Sequence, residues 1–128
     1  MRKLLPFFLL LFLLTSPALA EDENLLVNGS VDDVSAAGFP TGWEQDMWFT
    51  GEDVSLLTVE DGGVEGNCLG VTNLSVNDAR WAQTVAVEPN TLYRFSAMVR
   101  AEGVDMNGYG ANLSIGGLNV YSEMVYDT

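Results

Sequence analysis

"WAQTVAVEPNTLYRFSAMV", residues 81–99, is the stretch that decides the fold. On either side of the turn sequence "EPNT", the residues alternate with the period of two that an extended strand requires. Trp81 and Val85 share one face of the first half, and Tyr93 and Phe95 share one face of the second. We predict an antiparallel hairpin with one face that packs on a core.

The chain around this stretch carries further short apolar runs, among them "VSLLTV", "CLGV" and "GANLSI". Turn residues recur at intervals of roughly eight to twelve positions, and no stretch shows the period of about 3.6 residues that a helix requires. The sequence therefore predicts an all-β fold, either an antiparallel sandwich or a barrel.

Residues 1–20 have the three parts of a secretory signal peptide. A short basic start, "MRK", is followed by an apolar run and then by Ala18-Leu19-Ala20, which is the small-x-small pattern of a cleavage site. We predict cleavage after Ala20, which leaves residues 21–128 as one secreted or cell-surface domain with no membrane insertion of its own. The alternative is an uncleaved amino-terminal anchor.

The charge of the chain excludes several classes of partner. Five basic and 18 acidic residues give a net charge of −13. A surface of this sign repels phosphate backbones, so nucleic acid is excluded as a partner, and anionic membrane is equally unsuitable. A neutral ligand or a hard cation such as calcium is compatible with it.

The residues that most enzymes use are scarce. The chain has no histidine, which excludes Ser-His-Asp sites and His-ligated zinc, and its one cysteine, Cys68, can form no internal disulfide. We interpret Cys68 as a small buried residue, with a reactive thiol as the alternative. No pair of carboxylates is distinguished by its sequence context, so we predict a non-catalytic monomer, with a glycosidase or lyase as a rival.

Four segments in order carry a family likeness: "NLLVNGSVDD", "FPTGWE", "NDARWAQTVAVEPNTLYRFSAMVRAEGV" and "GANLSI". In their order and spacing they resemble carbohydrate-binding modules of the CBM4/9/22-like group. The resemblance implies a jelly-roll β-sandwich of two antiparallel sheets with a glycan groove on one sheet, and often a structural calcium ion. No closing strand follows Tyr126, so we expect that one or two carboxyl-terminal strands are missing from residues 21–128.

Two positions match motif residues of that family. Asp32 stands where the family has an acid that often binds calcium, with a late partner for which Asp127 is a candidate. Val31 replaces the family's aromatic residue, and a solvated acid beside a turn is the alternative role for Asp32. Trp43 matches the "G-W" position, where a structural role is expected.

The candidate ligand-binding residues combine flat rings with polar groups. A ring buries the C–H face of a sugar, while amide, carboxylate and guanidinium groups bond the hydroxyls. The candidates are Asn77, Asp78, Arg80, Trp81, Arg94, Met98, Trp48 and Tyr109. Trp81 is either a platform for a ligand or a core residue at a strand end, and its alternation with Val85 favours the core.

The predicted function is that of a secreted, non-catalytic module that binds a polysaccharide or oligosaccharide, as part of a larger surface protein or enzyme. The alternative is a non-binding structural or adhesion module of the same fold. The two differ in the outer face of the sheet, since a binding module needs exposed aromatic rings there.

Overall fold

The computed structural model describes residues 23–127, so the signal peptide predicted for residues 1–20 lies outside the described residues. The six strands are β1 (Glu44–Met47), β2 (Ser55–Asp61), β3 (Asn67–Asn73), β4 (Ala79–Ala82), β5 (Ser114–Ile115) and β6 (Val120–Tyr121). The all-β prediction is confirmed for this part of the chain. Among residues 23–127 there is no helix with the length and apolarity needed to cross a membrane.

The longest pairing is the antiparallel hairpin of β2 and β3, which runs from Ser55 opposite Asn73 to Asp61 opposite Asn67. Its residues include Val59, Val71, Thr58 and Thr72, whose β-branched side chains favour extended backbone. The connecting turn contains Gly62 with a φ of 97° and Gly66 with a φ of 70°. A positive φ is costly for residues with a Cβ, so glycine suits both positions.

β1 and β4 form a second antiparallel pair, from Glu44 opposite Ala82 to Met47 opposite Ala79. One more hydrogen bond extends this ladder by one residue past β1, since the Trp48 N–H donates to the Asp78 carbonyl at 2.8 Å. Segments more than 30 positions apart in sequence thus become neighbours, and the end of this ribbon carries several of the candidate ligand-binding residues.

β5 and β6 form the third pair, joined by the turn that contains Gly116-Gly117. A bridge between Ala111 and Val125 extends the pairing, but two residues, 123 and 124, then lie opposite the single residue Asn112. This is a β-bulge, which bends a strand locally. The two-sheet jelly roll remains a prediction, since the described residues form three two-stranded sheets.

The hairpin predicted over residues 81–99 is wrong. β4 ends at Ala82, and no strand is present in residues 83–100. Alternation identifies which side of a chain can be buried, but a strand forms only where another backbone pairs with it. Here the turn is closed by a side chain, because the Tyr93 hydroxyl accepts the Glu88 N–H at 2.7 Å, and Asn90 takes a positive φ of 57° between them.

The buried core of the described residues is small. Val31 and Ala101 are each 5% exposed, and Ser55 is the buried polar residue. Trp43 is half-buried and its indole N–H donates to the Asn28 carbonyl at 3.1 Å, which gives it a structural contact. Few side chains are fully enclosed, so hydrogen bonds that join distant segments contribute much of the order.

Candidate functional site

The inner face of the β1–β4 ribbon packs on the β2–β3 hairpin. The Trp81 indole is half-buried and its N–H donates to the Gly70 carbonyl at 3.0 Å. On the partner strand, the Gln45 amide donates to the Leu57 carbonyl at 3.2 Å. Trp81 therefore contacts the hairpin and is not a free platform on the outer face.

The outer face of the ribbon carries a group of three charges around Arg80. Its Nε lies 2.8 Å from a carboxylate oxygen of Asp46, which is opposite on β1, and its Nη1 lies 3.6 Å from Asp78. All three side chains are about half exposed. Exposed ion pairs contribute only about 0–1 kcal/mol each to stability, so this cluster does little to hold the fold together. It does present a hydrogen-bond donor between two acceptors to solvent.

Trp48 lies on the same face as these charges. Continuation of the β1–β4 register places it opposite Asp78, two residues along the strand from Asp46, and alternate residues of a strand share a face. Its side chain is 74% exposed. The next residue, Phe49, is 58% exposed and lies in the bend that follows β1. The outer face thus presents a ring and a charge cluster side by side.

Asn77 holds the backbone of Phe49, the residue that follows Trp48. Its amide oxygen accepts the Phe49 N–H at 2.9 Å, and its amide nitrogen donates to the Phe49 carbonyl at 3.0 Å. The same nitrogen lies 2.8 Å from the hydroxyl of buried Ser55, which in turn donates to the Asn73 side chain at 2.6 Å. Both atoms of the Asn77 amide are engaged by the protein, which gives this candidate residue a positioning role.

A cleft of about 320 Å³ separates Arg80 from the β5–β6 hairpin. Its lining residues are Arg80, Ser114, Ile115, Gly116, Gly117, Leu118, Asn119 and Tyr121. Tyr121 and Asn119 supply a second ring and a second amide, and neither was among the candidates from sequence. The Gly-Gly turn predicts a hairpin there, but no sequence signal indicates that this hairpin lies beside Arg80.

The remaining candidates lie elsewhere. Met98 lines a different cleft, of about 380 Å³, whose other lining residues are Ala97, Val99, Leu113, Ser122, Glu123 and Val125. Tyr109 is 89% exposed on the loop between residues 105 and 110. Arg94 is exposed in the segment without strands, and the hairpin predicted over residues 81–99, which would have placed Arg94 on the strand next to that of Trp81, is not present in the described residues.

The calcium prediction has little support from the side chains. Within residues 23–127, no three His, Cys, Asp or Glu residues lie together as metal ligands. Asp32 is exposed beside Gly66 on the β2–β3 turn, and an Asp127 carboxylate oxygen accepts the Gly103 N–H at 2.7 Å. Calcium also accepts carbonyl and water oxygens, so the site at Asp32 stays a prediction.

Comparison with known proteins gives no relative from which to assign this site. No family model matches the chain, and no match was found among curated proteins or solved structures. The functional argument therefore rests on the residues themselves.

Proposed function

We propose that this chain is a secreted, non-catalytic carbohydrate-binding module whose ligand lies across the outer face of the β1–β4 ribbon. The observation that carries the proposal is the exposed Trp48 ring beside the Asp46–Arg80–Asp78 cluster. Exposed rings next to fixed polar groups are the features that a sugar requires.

Each element of this face matches a part of a sugar ring. The Trp48 indole offers an apolar plane for the C–H face, and burial of such a ring stabilises a complex by about 1.5–3 kcal/mol. The carboxylates of Asp46 and Asp78 accept hydrogen bonds from hydroxyl groups, and Arg80 donates them. Asp46 and Asp78 lie 2.8 and 3.6 Å from the Arg80 guanidinium, so the donor and the acceptors that a sugar would contact are close together.

The cleft beside Arg80 extends the proposed site. Tyr121 is exposed, and Asn119 has an amide that can both donate and accept hydrogen bonds. A ligand longer than one sugar can therefore contact the ribbon and the β5–β6 hairpin together. This supports a polysaccharide or oligosaccharide as the partner.

The jelly-roll architecture, the export signal and a structural calcium ion at Asp32 belong to the same proposal, on the sequence likeness described above. A calcium-dependent rise in melting temperature that disappears in Asp32→Ala would support the ion. No change in melting temperature on addition of calcium would count against it.

The test of function compares two neighbouring aromatic residues. We expect binding in glycan arrays and in affinity electrophoresis on soluble polysaccharides, and Trp48→Ala should weaken it by at least about tenfold. Phe49→Ala is the matched control, because it also removes an exposed ring next to Trp48 in sequence, but one that lies outside the β1–β4 register.

Two outcomes would reject the proposal. If the folded protein binds no glycan, the non-binding structural module becomes the better assignment. If Phe49→Ala and Trp48→Ala weaken binding equally, the Trp48 ring is not the specific contact that the proposal requires. Circular dichroism of both variants shows whether the fold is retained.

A further inference from the structure

We infer that Asn107 is a site of spontaneous deamidation, and that the fold protects the other Asn-Gly pair of the chain, Asn28-Gly29. The sequence contains these two Asn-Gly pairs and no others. Glycine has no side chain to shield its amide nitrogen, so both pairs can deamidate. The hydrogen bonds around each asparagine then determine which of the two reacts faster.

The reaction is an internal cyclisation. The backbone nitrogen of Gly108 loses its proton and bonds to the Asn107 side-chain carbonyl carbon, whose amide nitrogen leaves as ammonia. The five-membered succinimide then adds water at one of its two carbonyls. The product is aspartate, or isoaspartate, in which the main chain runs through the former side chain. Solvent water is the co-reactant, and no oxidation takes place.

The turn over residues 105–108 holds the reacting groups by local bonds alone. Oδ1 of Asp105 accepts both the backbone N–H of Asn107 at 2.8 Å and its side-chain N–H at 2.9 Å. The Gly108 N–H donates to the Asp105 carbonyl at 3.0 Å. The distant Tyr126 hydroxyl donates to the Gly108 carbonyl, which takes no part in the reaction. All four turn residues are exposed, so opening the turn breaks only solvent-accessible bonds.

Asn28 is held both by the turn that follows it and by the more distant residues Thr41 and Trp43. Its amide nitrogen donates to the carbonyls of Asp33 at 2.9 Å and Thr41 at 3.1 Å, and its amide oxygen accepts the Asp33 N–H at 3.0 Å. Its own carbonyl accepts the Trp43 indole N–H and the Val31 N–H. Cyclisation there requires that several of these bonds break together, which couples the reaction to opening of a larger region.

Deamidation of Asn107 also changes the turn itself. The hydrogen bond from the Asn107 backbone N–H keeps the pKa of the Asp105 carboxyl below its usual value, and the bond from the Asn107 side-chain N–H adds a smaller effect in the same direction. The product lacks the side-chain donor and places a second carboxylate beside Asp105, so the Asp105 pKa should rise. The isoaspartate form also lengthens the backbone, which moves the exposed Tyr109 that follows.

The experiment incubates the purified protein in mildly alkaline buffer, both native and in concentrated urea, and maps peptides by mass spectrometry with an isoaspartate assay. In the native protein, we expect deamidation at Asn107 to exceed that at Asn28 by about tenfold or more, since at least one extra hydrogen bond protects Asn28. In urea, the two rates should become similar.

Gly108→Ala is the matched variant. A Cβ at this position would meet only the Asp105 carbonyl oxygen, at an ordinary 3.5 Å, so the turn should be retained. The methyl group crowds the attacking nitrogen and should slow the reaction at Asn107 severalfold, with no effect at Asn28. The inference is overturned if Asn28 reacts as fast as Asn107 in the native protein, if Asn107 does not react, or if Gly108→Ala changes nothing.

Discussion

Replacing Asn77 by alanine should destabilise the protein, because this side chain joins the segment before β4 to the segment after β1. The substitution removes three hydrogen bonds, namely the two that pair the amide with the backbone of Phe49 and the one to the Ser55 hydroxyl. A net contribution of about 0.5–1.5 kcal/mol each gives an upper range near 4 kcal/mol, but water can replace the two exposed bonds. We therefore expect a loss of about 2 kcal/mol.

Urea denaturation, followed by intrinsic tryptophan fluorescence, measures this loss directly. For a domain of roughly 100 residues, it corresponds to a fall in melting temperature of about 8–16 °C. Asn119→Ala is the matched control, because the Asn119 side chain is exposed in the turn between β5 and β6, and it should stay within about 0.5 kcal/mol of wild type. A loss below about 0.5 kcal/mol for Asn77→Ala would refute the reasoning.

Asn77→Asp separates the donor from the acceptor. The introduced carboxylate keeps the bond from the Phe49 N–H but faces the Phe49 carbonyl oxygen where the amide nitrogen donated. Its folded-state pKa should therefore lie above the unfolded value of about 3.9. The folded state then binds the proton more tightly, so the variant should lose stability relative to wild type as pH rises through this interval. A pH-independent difference from wild type would contradict this assignment.

Two further changes test the packing and the binding face. Gly110→Ala should cost about 1–3 kcal/mol in urea denaturation, because its Cβ would lie 2.7 Å from the Val125 carbonyl oxygen, and backbone cannot move aside cheaply. Gly116→Ala, whose Cβ would meet nothing within 4 Å, is the control, and equal stability of the two would show that the bridge at Ala111 is not tightly formed. Arg80→Gln should change the free energy of unfolding by less than about 1 kcal/mol, because its ion pairs are exposed. The same variant should weaken glycan binding severalfold in affinity electrophoresis, and unchanged binding would remove Arg80 from the proposed site.

The sequence predicted extended segments at β2 and β3, where the apolar runs "VSLLTV" and "CLGV" flank turn residues. The structure pairs these two strands as a hairpin, whereas the hairpin predicted over residues 81–99 does not form. Alternation also indicated that Trp81 faces away from Arg80, and the indole contact with Gly70 agrees with this. Both inferences depend only on local periodicity.

Pairing between distant segments could not be predicted in this way. Nothing in the sequence around Trp48 indicates that it continues a strand opposite Asp78, although the resulting register places the ring beside Arg80. The pattern of residues 81–99 has the right periodicity for a hairpin, but its second half has no paired backbone in the described residues. Periodicity shows which residues of a strand share a face, whereas tertiary contacts determine which other segment pairs with that strand.

Outside the strands, several side-chain amides make the pair of hydrogen bonds that a neighbouring backbone would make in a ladder. Gln83 follows β4 directly, and its amide exchanges two hydrogen bonds with the backbone of Val27, at 2.7 and 2.9 Å. Asn77 makes the same two-point contact with Phe49, and Asn28 makes it with Asp33. An amide carries one acceptor and a donor group, as a peptide unit does, so it can replace a ladder residue where a carboxylate cannot. Conversion of any of these amides to an acid should therefore remove the donor half of a two-point contact between two chain segments and keep the acceptor half.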